Sequence, residues 1–314
     1  MHYSFNNLFH TLEKAARFNV SATFEERLQR WSEPPSKTEI EKCERVERMV
    51  REAIAADPKL SRMDIKVFAK GSYANRTNIP SDSDVDVGVL HQGLYFNKYP
   101  EGMSDKDFSF SDADYSFREF SADVARAIQN KFGTTEVLVD DKCIKIRSNS
   151  CRVDADVVPH FRHRLFNPNK TYREGVALKT IDGKTIYNWP VQDYDNGVAK
   201  NDRTSRSYKG LVRVLKSIRS EMEDSNIPSA KFAKSFLLSC LAYNVPDEYF
   251  SRNTYTEVLS GSLEYLIWMT SDSARAKEWT EVNNVKFLFH STQPWNLMNV
   301  NTFLRDAKSF IGRF

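Results

Sequence analysis

The 314 residues suffice for two lobes, and an apolar share of 40% with 28% charged residues is an ordinary globular balance. A formal net charge of +3 excludes a uniformly basic nucleic-acid coat. No apolar run reaches the length of a membrane span. The opening Met1-His2-Tyr3-Ser4-Phe5 lacks the basic-then-apolar pattern of a secretion signal, so a cytoplasmic location is expected.

In chain order, Phe9, Leu12, Ala15, Ala16 and Val20 recur at helical spacing. Ser32-Glu33-Pro34-Pro35-Ser36 breaks that pattern. Ser36 and Glu39 resemble a capping box, which predicts a helix from Thr38 to Ala56 with Val46, Met49, Val50 and Ile54 on one face. The period then changes. Ile65, Val67 and Ala69 alternate with Lys66, Phe68 and Lys70, as in a strand, and Gly71-Ser72 turns the chain into a short helix. Val85, Val87 and Val89 alternate with Asp84, Asp86 and Gly88, a second strand. Phe117 to Phe132 reads as a helix, followed by strands at 136–139, 144–147 and 152–158. Residues 167–201 read as a long irregular or hairpin insert. Helical spacing returns from Arg206, and further helices are expected at 230–243, 255–270 and 300–311. The fold class is therefore α/β (α+β), a mixed sheet with helices in residues 1–200 and a helical lobe in 201–314.

The chemistry concentrates at two strands. Residues two apart on a strand share a face, so Asp84 and Asp86 point together while their valine neighbours pack behind. Arg152-Val153-Asp154-Ala155-Asp156-Val157-Val158-Pro159 repeats the arrangement. One such strand is usually a solvated acidic face. Two adjacent ones would bring three or four carboxylates together, a donor set for two divalent ions. Gly71 lets a backbone approach phosphate closely, and the Ser72 hydroxyl can donate to it. Lys209, Arg213 and Lys216 share a helix face; a solvated face explains Lys209 equally well, and Lys216 is favoured for a triphosphate contact. The four cysteines form no C-x-x-C pair, and His160 and His163 have helical spacing without a third zinc-type ligand, so packing roles are expected. Tyr172, Tyr187, Trp189 and Phe232 suit base stacking or the core equally.

Gly71-Ser72, Asp84-Val85-Asp86 and the later Asp156 resemble the signature of the polymerase-beta-like nucleotidyltransferase superfamily. Asp156-Val157-Val158-Pro159 is similar to the third-aspartate motif of oligoadenylate synthetases and cGAS/DncV-like enzymes. Asn188-Trp189-Pro190, Asn196 to Asn201, Lys209 to Lys216 and Lys234 to Pro246 resemble bacterial CD-NTases, the oligonucleotide cyclases of CBASS antiviral defence. The resemblance spans nearly the whole chain. It implies that Asp84, Asp86 and Asp156 are catalytic and ligate two magnesium ions, with manganese as a substitute. It implies that Gly71, Ser72, Lys216 and Ser235 bind nucleotide. Asp154 matches no catalytic position and suits a supporting role. Many relatives carry a glutamate where this chain has Ser239. The implied activity joins nucleoside triphosphates, ATP among them, into a cyclic di- or trinucleotide messenger that activates a separate effector protein. A monomer is implied, with no membrane partner and, in the absence of a zinc ribbon, no stable DNA binding. Two alternatives stay open at this level: synthesis of a linear oligonucleotide or modification of a protein or tRNA, and a silent nucleotide- or RNA-binding sensor.

Overall fold

The computed structural model describes residues 22–79, 84–149 and 152–313. The helix expected over Phe9 to Val20 lies outside them. The described residues fall into two compact units, one from 35–75, 84–149 and 152–191, the other from 22–34, 76–79 and 192–313. The expected boundary near residue 200 thus sits beside an observed crossing at 191/192, and the chain's first described helix goes with the later helices.

In the sheet unit, α2 (Lys37–Ala56) begins at the capping box: the Ser36 hydroxyl accepts from the Glu39 amide, and the Glu39 carboxylate accepts from the Ser36 amide at 2.8 Å. A seven-stranded sheet follows, of β1 (Ile65–Ala69), β2 (Val85–Lys98), β3 (Val137–Val139), β4 (Ile144–Ile146), β5 (Ala155–Phe166), β6 (Tyr172–Lys179) and β7 (Thr185–Asn188). The order is β1-β2-β5-β4-β3, with β6 pairing β5 and β7. Among the described residues only β2 and β5 pair in parallel, so the sheet is mixed. β5 pairs β4 through residues 155–157 and β6 through 161–166. One sheet face carries Val67, Val85, Val87, Val89, Ala155 and Val157, packed with Val46, Val50 and Ile54 of α2 and Phe120, Val124 and Ile128 of α4 (Phe117–Phe132). That apolar face is the reason the alternation is legible: with Val85, Val87, Ala155 and Val157 buried behind, Asp86 and Asp156 take the other face. The short α3 (Gly71–Ala74) follows β1.

The helical unit contains α1 (Ala22–Ser32), α5 (Pro190–Arg203, which spans the crossing), α6 (Ser207–Asp224), α7 (Ser235–Tyr243), α8 (Tyr255–Thr270) and α9 (Leu297–Ile311). Its core gathers Leu28, Leu211, Leu215, Leu237, Leu241, Leu263 and Phe303. None of the described helices is long and apolar enough to cross a membrane.

Several expectations change. The insert at 167–201 is the β6–β7 hairpin within the sheet, followed by helix α5. The helix expected over 230–243 is broken into a 3-10 turn at Pro228–Phe232 and α7. His160 and His163 lie on a strand, not a helix, so a separation of three puts them on opposite faces. Both are fully buried, His160 beside Phe68 and His163 against Tyr187 and Trp189. Tyr187 and Trp189 accordingly pack within the sheet unit, whereas Tyr172 is exposed with the Arg164 guanidinium 4.6 Å over its ring. Phe232 is half-buried in the 3-10 turn.

Candidate active site

The sheet register sets the carboxylates. Asp86 and Asp156 are direct partners across the parallel β2–β5 pair, and the Val85 amide donates to the Asp154 carbonyl at 3.0 Å. Two carboxylates in register on one face lie within reach of a shared cation. Asp84 precedes the strand, exposed, two residues upstream of Asp86. Asp154 is committed elsewhere: its Oδ1 accepts from the Ser148 amide at 2.6 Å, which holds the turn leading into β5. Among the described residues, no three or more His, Cys, Asp or Glu side chains form a ready-made metal cage. Like charges have no reason to close on one point before a cation joins them.

The Gly71-Ser72 turn meets Asp86 directly. Gly71 has φ +67°, a left-handed conformation that glycine adopts freely. A Cβ at this position would collide with Oδ2 of Asp86 and stand 3.0 Å from its Cγ. Glycine is therefore required both by backbone angle and by the space over Asp86. The turn is fastened at both ends. The Lys70 amide donates to the Asp86 carbonyl at 2.9 Å, and the Asn75 side-chain amide donates to the Gly71 carbonyl at 2.9 Å. The Tyr73 hydroxyl ties it to α2 through the Ile40 carbonyl at 3.1 Å. Ser72 is half-buried in this turn.

Two neighbours were not singled out by periodicity. Cys143 precedes β4, whose Lys145 is the register partner of Asp156. Burial, then the charge of Asp156 and a hydrogen bond to it, push the Cys143 thiol up to about 12. It stays protonated, a donor to that carboxylate. Lys145 has its pKa raised, first by its hydrogen bond to Asp140 (3.1 Å) and in part by the charge of Asp156.

In the helical unit, Lys216 is 1% exposed and Ser235 opens α7. The Ser235 hydroxyl accepts from Arg219 at 2.9 Å. Arg219 follows Lys216 by one helical turn, a spacing visible in the sequence. Arg213 is structural: its guanidinium donates to the carbonyls of Ser32 and Arg76. Lys209 is buried with its ammonium 5.8 Å from the Tyr194 ring, so it is not a solvated face.

Residues 195–312 match the cGAS/DncV-like nucleotidyltransferase C-terminal helical domain. Over 296 residues the chain is 40% identical to the cyclic dipyrimidine nucleotide synthase CdnE of Legionella pneumophila, covering 93% of this chain and 99% of that protein. This chain belongs to the bacterial CD-NTase family of nucleotidyltransferases. The CdnE c-UMP-AMP synthase of Rhodothermus marinus, solved with Apcpp and Upnpp, superposes with a TM-score of 0.80 at 29% identity, covering 91% of this chain and 95% of that one. The CdnE cyclic dinucleotide synthase of Elizabethkingia meningoseptica, solved with GTP and Apcpp, gives 0.77 at 30% identity, covering 94% and 100%. The CD-NTase's fold is accordingly the nucleotidyltransferase fold, a mixed sheet with a helical C-terminal region, and the chain is an enzyme.

Proposed function

We propose that this CD-NTase condenses nucleoside triphosphates into a cyclic dinucleotide containing a pyrimidine, with release of pyrophosphate, and that the product signals to a separate effector in antiviral defence. The observation that carries the chemistry is the Asp86–Asp156 register pair, with the Asp86 carboxylate in the space that a side chain on Gly71 would take. The pyrimidine is supported by the printed names of the Legionella and Rhodothermus relatives.

The donors are hard carboxylate oxygens with no thiolate or imidazole among the three, which suits magnesium and, in its place, manganese. Asp84, Asp86 and Asp156 would hold two such ions, which lower the pKa of a bound ribose hydroxyl and offset charge at the reacting phosphate. The chain's own residues then divide the work. Gly71 and Ser72 present their backbone and hydroxyl to the donor triphosphate. Asp156 accepts the proton of the acceptor hydroxyl. The hydroxyl oxygen bonds to the α-phosphorus, the bond from that phosphorus to the β-phosphate's bridging oxygen breaks, and pyrophosphate leaves with the electron pair. A second identical condensation closes the ring.

The test is incubation with each pair of labelled triphosphates in magnesium, followed by phosphatase and mass spectrometry. A phosphatase-resistant product with two phosphodiesters and at least one pyrimidine is expected; chelation of the metal, or Asp86→Asn, should abolish it. A product that phosphatase shortens would sink the cyclase reading in favour of a linear one.

A further inference from the structure

We propose that Lys70 is a catalytic residue that binds the triphosphate of a substrate nucleotide; this deepens the nucleotidyltransferase reading and rests on it. Lys66, Phe68 and Lys70 alternate along β1 and its extended continuation. Phe68 pairs with Gly88, two residues beyond Asp86, and its ring occupies the space that a Gly88 side chain would take. On the same face of β5, His160 follows Asp156 and Val158, with its ring 6.4 Å from that of Phe68. Phe68 and His160 thus fill the sheet face behind the carboxylates. Lys70 stands at the edge of that filling, immediately before Gly71.

Its surroundings leave its charge unanswered. Lys70 is half-buried and makes no ion pair among the described residues, whereas Lys59, Lys131, Lys145, Lys200 and Lys308 each hold a carboxylate within 3.2 Å. An ammonium with no carboxylate paired to it is available to an anion arriving from solvent. His160 does not supply one: it is 0% exposed, and burial followed by the charge of Lys70 keeps it neutral, opposed only by a backbone contact at Ala177. Asp86 and Asp156 are the nearest acids by register, and both are committed to the metal in the reading above. The backbone at Gly71 is open to phosphate, and the ammonium one residue earlier is the complementary point charge.

The experiment uses the full chain carrying Asp156→Asn, so that binding is read without turnover. ATP and UTP are titrated in magnesium against this protein and against the same protein with Lys70→Met or Lys70→Arg. Adenosine and uridine, followed by NMR, serve as phosphate-free probes. Lys70→Met should weaken both triphosphates about tenfold, more at low salt, with Lys70→Arg retaining most of the affinity and the nucleosides unaffected. Unchanged triphosphate affinity in Lys70→Met, or a parallel loss for nucleosides and triphosphates, overturns the proposal and makes Lys70 structural. Absence of triphosphate binding to both the Asp156→Asn protein and the wild-type chain in calcium overturns it as well. Pyrophosphate release by the wild-type chain is measured separately; its absence would overturn the nucleotidyltransferase chemistry, whatever the Lys70 titration reads.

Discussion

Gly71 concentrates more constraint than any other single position in the site. A side chain there pays for a left-handed φ and also displaces the Asp86 carboxylate. The backbone term alone is worth about 1–2 kcal/mol. The carboxylate shift acts on geometry, where an error of about 1 Å costs on the order of a hundredfold in rate. Gly71→Ala should therefore lower kcat for pyrophosphate release about a hundredfold while Tm drops by only a few degrees. A variant with intact kcat would show that Asp86 tolerates displacement. Which residues could be read in advance follows from the same local physics. The facing of Asp86 and Asp156 was legible because Asp86 sits between Val85 and Val87, and Asp156 between Ala155 and Val157, all buried. Lys70 and Cys143 were not, because a residue's role beside a carboxylate depends on register with a distant strand, which one-dimensional periodicity does not encode. His160 and His163 misled for a related reason: their separation of three means one face on a helix and opposite faces on β5.

Elements show where local signals compete. The capping box at Ser36 and Glu39 made α2 readable to within one residue, since the cap is satisfied entirely by the chain's own next turn. Helix α5 was hidden because glycine, asparagine and aspartate are common along it and favour turns. Its signal was Pro190 at the first helical position. What holds α5 is tertiary: Lys200 donates to the Val245 carbonyl at 2.8 Å and to Asp247 at 2.6 Å, and Asn196 donates to the Val282 carbonyl at 2.8 Å. The same helix carries the half-buried Asp193, whose Oδ1 accepts from Asn283 at 3.1 Å; Asn283 also donates to Glu281 at 2.7 Å. Burial, then the negative charge of Glu281, push Asp193 up to about 7. Lys286 opposes this shift, and Tyr208 and Cys240, packed nearby, are held protonated by burial. The folded state therefore keeps the Asp193 proton where the unfolded chain, with an ordinary value of 3.8, has lost it. Stability contributed by that proton is complete below 3.8 and falls as pH rises to about 7. Asp193→Asn should remove the dependence, raising Tm relative to wild type more at pH 8 than at pH 5. Equal shifts at both pH values would mean that Asp193 is already ionised in the folded chain.

At the scale of the molecule, covalent order and compact packing disagree. A division at residue 200 follows the change from polar hairpin to helical period, yet the helical unit also takes in α1 and the segment that opens at Arg76. Leu28 of α1 is fully buried among the later helices, and the Glu25 carboxylate accepts from the Tyr255 and Thr256 amides at 2.9 Å, capping the start of α8. Arg27 pairs with Glu221 of α6. Arg213 holds Ser32 and Arg76 together, so a buried guanidinium on α6 takes its acceptors from segments 181 and 137 residues earlier. No sequence window contains those partners, which is why the pairing was illegible. A fragment beginning at residue 201 would lack α1, most of α5 and both carbonyls that answer Arg213. It would leave that guanidinium buried and unpaired, at a cost of about 3–5 kcal/mol, and expose the groove vacated by Leu28, about 2–3 kcal/mol more. Together these approach the whole stability of a domain of this size. The fragment 201–314 should therefore lack a cooperative thermal transition and bind a hydrophobic dye. Supplying a peptide of residues 18–36 in trans should restore part of the transition through α1. A sharply melting, dye-silent fragment would mean that the helices from α6 onward close their own core.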